Sequence, residues 1–165
     1  MAVKMLLIQK MINQTRFLHD DEFKKLITKN GKVIYEKSEV LFAVERLKRA
    51  YKRLSEAVAI VEDDLDKDGV IQRFEFTVEL LWKTLKIMLE YNKIDASGGP
   101  KLCVKEAFRY GYITDDEIIL DMLDDRNISW HIYDDKASEE IFQRIKDVYV
   151  KSLEKIINRI EEKIG

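Results

Sequence analysis

A chain of 165 residues is one domain, or one domain with an appendage, and a hydrophobic content of 46% is enough for a buried core. Charged residues make up 36%, with both signs interspersed, which suits a soluble helical protein; the net charge of -2 argues against broad polyanion binding but leaves room for a local Arg or Lys pocket. The single cysteine, Cys103, excludes an intrachain disulfide, and one Cys with two His does not easily build a zinc site, so no metal or cofactor is expected.

Residues 1–37 differ from the rest and form a candidate N-terminal extension. They read as a short helix to about Leu18, a polar stretch, then Asn30-Gly31 as a turn into a possible strand at Lys32-Val33-Ile34-Tyr35. The apolar part of Ala2-Val3-Lys4-Met5-Leu6-Leu7-Ile8 is too short to span a membrane and no small-residue cleavage site follows, so a cytoplasmic location is expected.

From Ser38, a plausible N-cap, the pattern turns helical. Val40, Leu41, Val44, Leu47, Tyr51, Leu54, Val58 and Val61 recur at three- and four-residue spacing. Asp68-Gly69 breaks the pattern, and a second helix runs over residues 70–92. It turns Phe74, Val78, Leu81, Trp82, Leu85 and Leu89 inward and Gln72, Glu79, Lys83, Lys86 and Glu90 outward. Ser97-Gly98-Gly99-Pro100 is a loop with Pro100 suited to a first helical turn, and Gly111 suits a left-handed cap after a short helix over 102–110. Thr114-Asp115-Asp116-Glu117 reads as a capping box for a fourth helix that carries Ile118, Ile119, Met122 and Leu123 inward. Asp134-Asp135 offers a cap for a final helix over 137–163, with a stripe of Ile141, Ile145, Val148, Leu153, Ile156, Ile157 and Ile160. The expected fold is all-α: an antiparallel up-and-down bundle of four or five helices over residues 38–165, with a short helix/strand appendage.

Residues 64–75 match the EF-hand loop at its side-chain ligand positions, with Asp64, Asp66 and Asp68, Gly69 for the turn, and Glu75. The flanks do not fit, because Asp63 precedes the loop and Glu79 and Lys83 stand where apolar residues are wanted. The plainer reading is a solvated helix end, with acids near a helix N-terminus.

The segment Arg126-Asn127-Ile128-Ser129-Trp130-His131-Ile132-Tyr133 combines a permanent cation, an imidazole and a phenol. Metal-free RNA cleavage needs a proton-transfer group and a cation for the charge that builds on phosphorus, and His131 and Arg126 are of those types. On one continuous helix Arg126 and Tyr133 share a face and His131 points away. Convergence therefore requires the helix to end or kink near Ser129, or a site built across two copies. The alternative reading makes His131 a hydrogen-bonded interface residue, Arg126 the partner of a nearby Asp, and Trp130 core. The acids around the segment, Asp121, Asp124, Asp125, Asp134 and Asp135, repel RNA at low salt.

Two blocks carry a resemblance. Gln72-Arg73-Phe74-Glu75-Phe76-Thr77-Val78-Glu79-Leu80-Leu81-Trp82-Lys83 is one; Leu120-Asp121-Met122-Leu123-Asp124-Asp125-Arg126-Asn127, running into Trp130-His131-Ile132-Tyr133, is the other. On these, the chain from about Ser38 onward resembles the nucleotidyltransferase substrate-binding protein family, a branch of the HEPN superfamily. The resemblance implies a helical bundle that forms homodimers and associates with a minimal nucleotidyltransferase encoded nearby. In the toxin-antitoxin branch the HEPN subunit is a metal-independent ribonuclease. There the Arg and His of the motif are catalytic, and the partner silences the subunit by transferring AMP to its Tyr. Those roles fall by resemblance on Arg126, His131 and Tyr133, with Asn127 where the family commonly carries a polar residue. Gln72, Glu79 and Lys83 are expected to line the adjoining polar face and contribute to substrate binding. Residues 21–27 followed by 30–36 resemble, more weakly, the tail of a minimal nucleotidyltransferase. The Gly-Ser turn and paired aspartates of that enzyme's catalytic part are absent, so the chain is not itself a nucleotidyltransferase. The leading expectation is a partner subunit that binds nucleotide (ATP or AMP) or presents Tyr133 for nucleotidylation. The alternatives are a ribonuclease toxin acting on RNA and a purely structural helical adaptor.

Overall fold

The structure, a computed structural model, describes residues 20–129 and 135–164, with side chains for residue 31 and from residue 37 onward except 129 and 135. The described residues form helices joined by short connections, with no strand among them. They form α1 (Asp20–Ala59), α2 (Asp64–Tyr91), α3 (Pro100–Arg109), α4 (Glu117–Ser129), α5 (Asp135–Arg144), a π-helical turn (Ile145–Tyr149) and α6 (Val150–Ile164). None of these helices is long and apolar enough to cross a membrane. The chain divides into two compact units, Met1–Ser38 and Glu39–Gly165.

In the first unit the expected turn and strand are not found: Asn30, Gly31 and residues 32–35 are helical. A four-residue strand without a partner leaves its amides unpaired, whereas a helix satisfies them internally. One glycine costs a helix only about 1 kcal/mol. The helix also runs through Ser38, which is therefore not its N-cap. The expected helix end near Leu18 lies outside the described residues.

The second unit is the bundle. Val40, Val44, Leu47 and Leu54 of α1 are buried as the periodicity requires, while Leu41 is exposed. α2 begins six residues before the expected Val70, because Asp63 is its N-cap and accepts a 2.9 Å hydrogen bond from the Asp66 amide. Gly69 thus sits inside a helix, and the calcium-loop pattern does not form a loop. Over the eleven residues from Asp64 to Glu75 a helix rises about 16 Å, too far for both carboxylates to hold one ion.

The directions of the helices follow from their contacts. The Thr84 hydroxyl reaches the Ala43 carbonyl at 3.4 Å, and Ala50 and Arg53 border Gln72, Arg73 and Phe76, so α1 and α2 are antiparallel. Lys67 binds Glu139 at 2.7 Å and Phe74 stacks on Tyr149 at 5.3 Å, so the final helical run is parallel to α2. The intervening α3 and α4 carry the chain back. Pro100 opens α3, and Gly111 adopts φ 72°, both as expected. At the start of α4 the capping side chain is Asp115, which accepts from the Ile118 amide at 3.2 Å. That replaces the expected exchange between Thr114 and Glu117.

Trp82 is half-buried rather than core, whereas Phe74, Val78, Leu81, Leu85 and Leu89 are fully enclosed. The final helix departs from its expected stripe at one point. Val148 is exposed and Tyr149 is buried. The cause is the π turn, in which the Val150 amide donates to the Ile145 carbonyl five residues back and shifts the register by one.

Candidate functional site at the end of the fourth helix

Arg126 stands on the last turn of α4 and turns toward α2. Its Nη2 donates to Glu79 Oε2 at 2.6 Å, and its Nη1 donates to Asn127 Oδ1 at 3.2 Å. Glu79 also accepts from Trp82 Nε1 at 2.9 Å and from Lys83 Nζ at 2.7 Å. The Lys83 ammonium lies 5.7 Å from the centre of the Trp82 ring. Two cations thus share one carboxylate. Residues 79, 82 and 83 meet because three- and four-residue spacing puts them on one patch of α2. Arg126 is added only by the packing of α4 on that patch.

Burial pushes the Glu79 carboxyl up, but the hydrogen bonds from Lys83 and Trp82 and the charge of Arg126 outweigh it and hold the group below its ordinary value of 4.5. A carboxylate whose folded pKa is depressed stabilises the fold above its unfolded pKa, and that stabilisation is lost as pH falls through the folded one. The midpoint of urea unfolding is therefore expected to fall as pH drops below about 4.5, and less steeply in Glu79→Gln. Equal pH slopes for the two proteins would remove Glu79 from this account.

Of the residues expected to bind substrate, Asn127, Glu79 and Lys83 gather around Arg126. Gln72 is placed elsewhere, in an open groove with Arg53, Arg73 and Phe76. His131 and Tyr133, with Trp130 and Ile132, lie outside the described residues. The alternative reading of Arg126 as an ion-pair partner is found, and the carboxylate it pairs with among the described residues is Glu79 on another helix.

A second cluster has no signature in the sequence. Asp125, buried, accepts from Arg144 Nε at 2.7 Å, Arg144 Nη2 at 2.8 Å and the Tyr149 hydroxyl at 2.6 Å. The bidentate bond raises the Arg144 pKa against the opposing effect of burial. Burial, followed by Asp125, pushes the Tyr149 phenol well above its ordinary value. In an α-helix residues 144 and 149 point about 140° apart. The π turn makes them one turn apart, so both reach one carboxylate. Two of the five acids expected to repel RNA are thereby compensated, since Asp124 also binds Lys101 at 2.6 Å. Cys103 is buried and its thiol is pushed up to about 11 by burial, which makes it an inert packing group, as expected.

Residues 43–162 match the family described as nucleotidyltransferase substrate binding protein like. A Haemophilus influenzae protein named "Probable ribonuclease HepT" is 35% identical over 98 residues, which span 57% of this chain and 66% of that protein. A crystal structure of a Thermus thermophilus protein superposes with a TM-score of 0.60 at 26% identity, covering 72% of this chain and 98% of that one.

Proposed function

The chain belongs to the nucleotidyltransferase substrate binding protein-like family, and on that premise we propose that it is the partner subunit of a two-component minimal nucleotidyltransferase system. It acts as a homodimer that binds nucleotide or presents Tyr133 for nucleotidylation. The observation that carries this reading is the family match over residues 43–162, a span that includes Arg126, His131 and Tyr133. In the transfer, the Tyr133 phenol oxygen bonds to the α-phosphorus of ATP. The bond from that phosphorus to the leaving oxygen breaks, pyrophosphate departs, and the phenol proton passes to a base of the enzyme. Arg126, held by Glu79 at the end of α4, steadies the phosphates through charge-assisted hydrogen bonds. Residues 1–37 serve as an extension derived from, or resembling, the enzyme's tail.

Incubation with the cognate nucleotidyltransferase and ATP is expected to add one AMP to the wild-type chain by mass spectrometry and none to Tyr133→Phe. No adduct on the wild type, or an unchanged adduct on the variant, rejects the acceptor role.

The similarity to "Probable ribonuclease HepT" favours a second reading, a metal-independent ribonuclease with His131 as general acid or base and Arg126 stabilising charge on phosphorus. Expression of the chain alone should then arrest growth, and His131→Ala should relieve the arrest. Harmless expression of the wild type counts against it.

A further inference from the structure

The groove between α1 and α2 has a cavity volume of about 410 Å³ and is lined on its polar side by Arg53, Gln72 and Arg73, with Phe76 beside them. Phe76 is 54% exposed. Farther along the same strip of α1, Phe42 is 60% exposed and lies 5.9 Å beneath the Arg46 guanidinium. On other faces of the bundle Lys48 pairs with Glu161 and Arg144 with Asp125. Among the described residues Arg46, Arg53 and Arg73 form no ion pair with a carboxylate, although the chain as a whole carries a net charge of -2. Two phenyl rings left exposed to water, rimmed by three arginines on one face, have the make-up of an interaction surface.

We infer that this groove binds nucleotide units, with phosphates on Arg53 and Arg73 and a base against the Phe76 ring. Guanidinium forks match phosphate oxygens, and every base has a face that stacks on a phenyl ring. A peptide of acidic residues alone satisfies the arginines but brings no flat ring for Phe42 and Phe76. Phe42, Arg46 and Arg53 share one face of α1, and the eleven residues from 42 to 53 rise about 16 Å, longer than a single nucleotide. The same chemistry is offered by a free nucleotide and by a single strand. The inference uses no residue of the 126–133 segment, so it stands or falls apart from the acceptor role of Tyr133.

The test is fluorescence anisotropy with labelled decauridylate, with ATP, sodium pyrophosphate and a hexa-aspartate peptide as competitors. Binding is expected to weaken as salt rises. The exposed pair Arg53→Glu with Arg73→Glu should lower affinity at least about tenfold, and Phe76→Ala about fivefold or more. The control pair Lys151→Glu with Lys155→Glu makes the same charge change on α6 and should stay within about twofold. Binding of the strand without competition by ATP identifies a strand site; competition by ATP identifies a site for free nucleotide. The inference is overturned by no binding of either at about 1 mM, or by groove variants that behave like the control pair. It is also overturned if pyrophosphate or hexa-aspartate displaces the probe as well as ATP does, which would make the groove a general anion or acidic-peptide site.

Discussion

Asp125→Ala is expected to destabilise the bundle by about 2–4 kcal/mol, the cost of removing the shared acceptor from a buried phenol and a half-exposed guanidinium. The carboxylate takes three hydrogen bonds of 2.6–2.8 Å, one of them from the Tyr149 hydroxyl at the buried end. Arg144 is 45% exposed and can rehydrate, which holds the cost below that of a fully buried ion pair. Tyr149 is enclosed, and its ring is fixed by stacking on Phe74 with an interplanar angle of 8°. For a chain of this size, thermal unfolding should shift down by about 5–15 °C. Asp125→Asn keeps one acceptor oxygen and should lose about half as much. A shift no larger than that of an average surface substitution would show that water replaces the carboxylate and that the network contributes little.

The second large effect falls on function. Arg126→Ala is expected to slow nucleotidyl transfer to Tyr133 by about a hundredfold, the usual consequence of removing a fixed charge from a phosphoryl transition state. Arg126→Lys should recover part of the rate, since it restores charge but not the planar fork. Stability should change by only about 1 kcal/mol, because Glu79 keeps its bonds to Lys83 and Trp82. Single-turnover rates measured beside urea unfolding separate the two roles. A rate that holds while stability falls would make Arg126 a structural ion-pair partner and nothing more.

Together these substitutions probe two consecutive residues of α4 that face different neighbours. Asp125 binds the π turn and the end of α5, while Arg126 binds α2. The last turn of α4, which carries Arg126, is thus tied on two sides. That is the physical link between the core and the candidate chemistry.

Much of the bundle was legible because its signals are local. The stripes Val40-Val44-Leu47-Leu54 and Phe74-Val78-Leu81-Leu85 mark buried faces through the 3.6-residue period alone, and Pro100 and Gly111 act through their own backbone preferences. The departures also have local causes. Asn30-Gly31 and Ser38 carry turn and cap signals that a continuing helix overrides at small cost, and Asp68-Gly69 reads as a break only until Asp63 is seen to cap the helix earlier. An unbroken α register places Val148 in the core, and the π turn moves it out.

By itself the sequence determined the helices, most of their buried faces, the family and the arginine, histidine and tyrosine on which the chemistry is proposed to rest. Tertiary structure alone decided that Arg126 pairs with Glu79, forty-seven positions away, that Asp125 joins Arg144 to Tyr149, and that Gln72 belongs to a groove with Arg53 and Arg73. The reason is physical. A helix follows from interactions among residues three or four apart, whereas the partner of a charged side chain depends on which faces of distant helices meet, and that is settled only when the whole core packs.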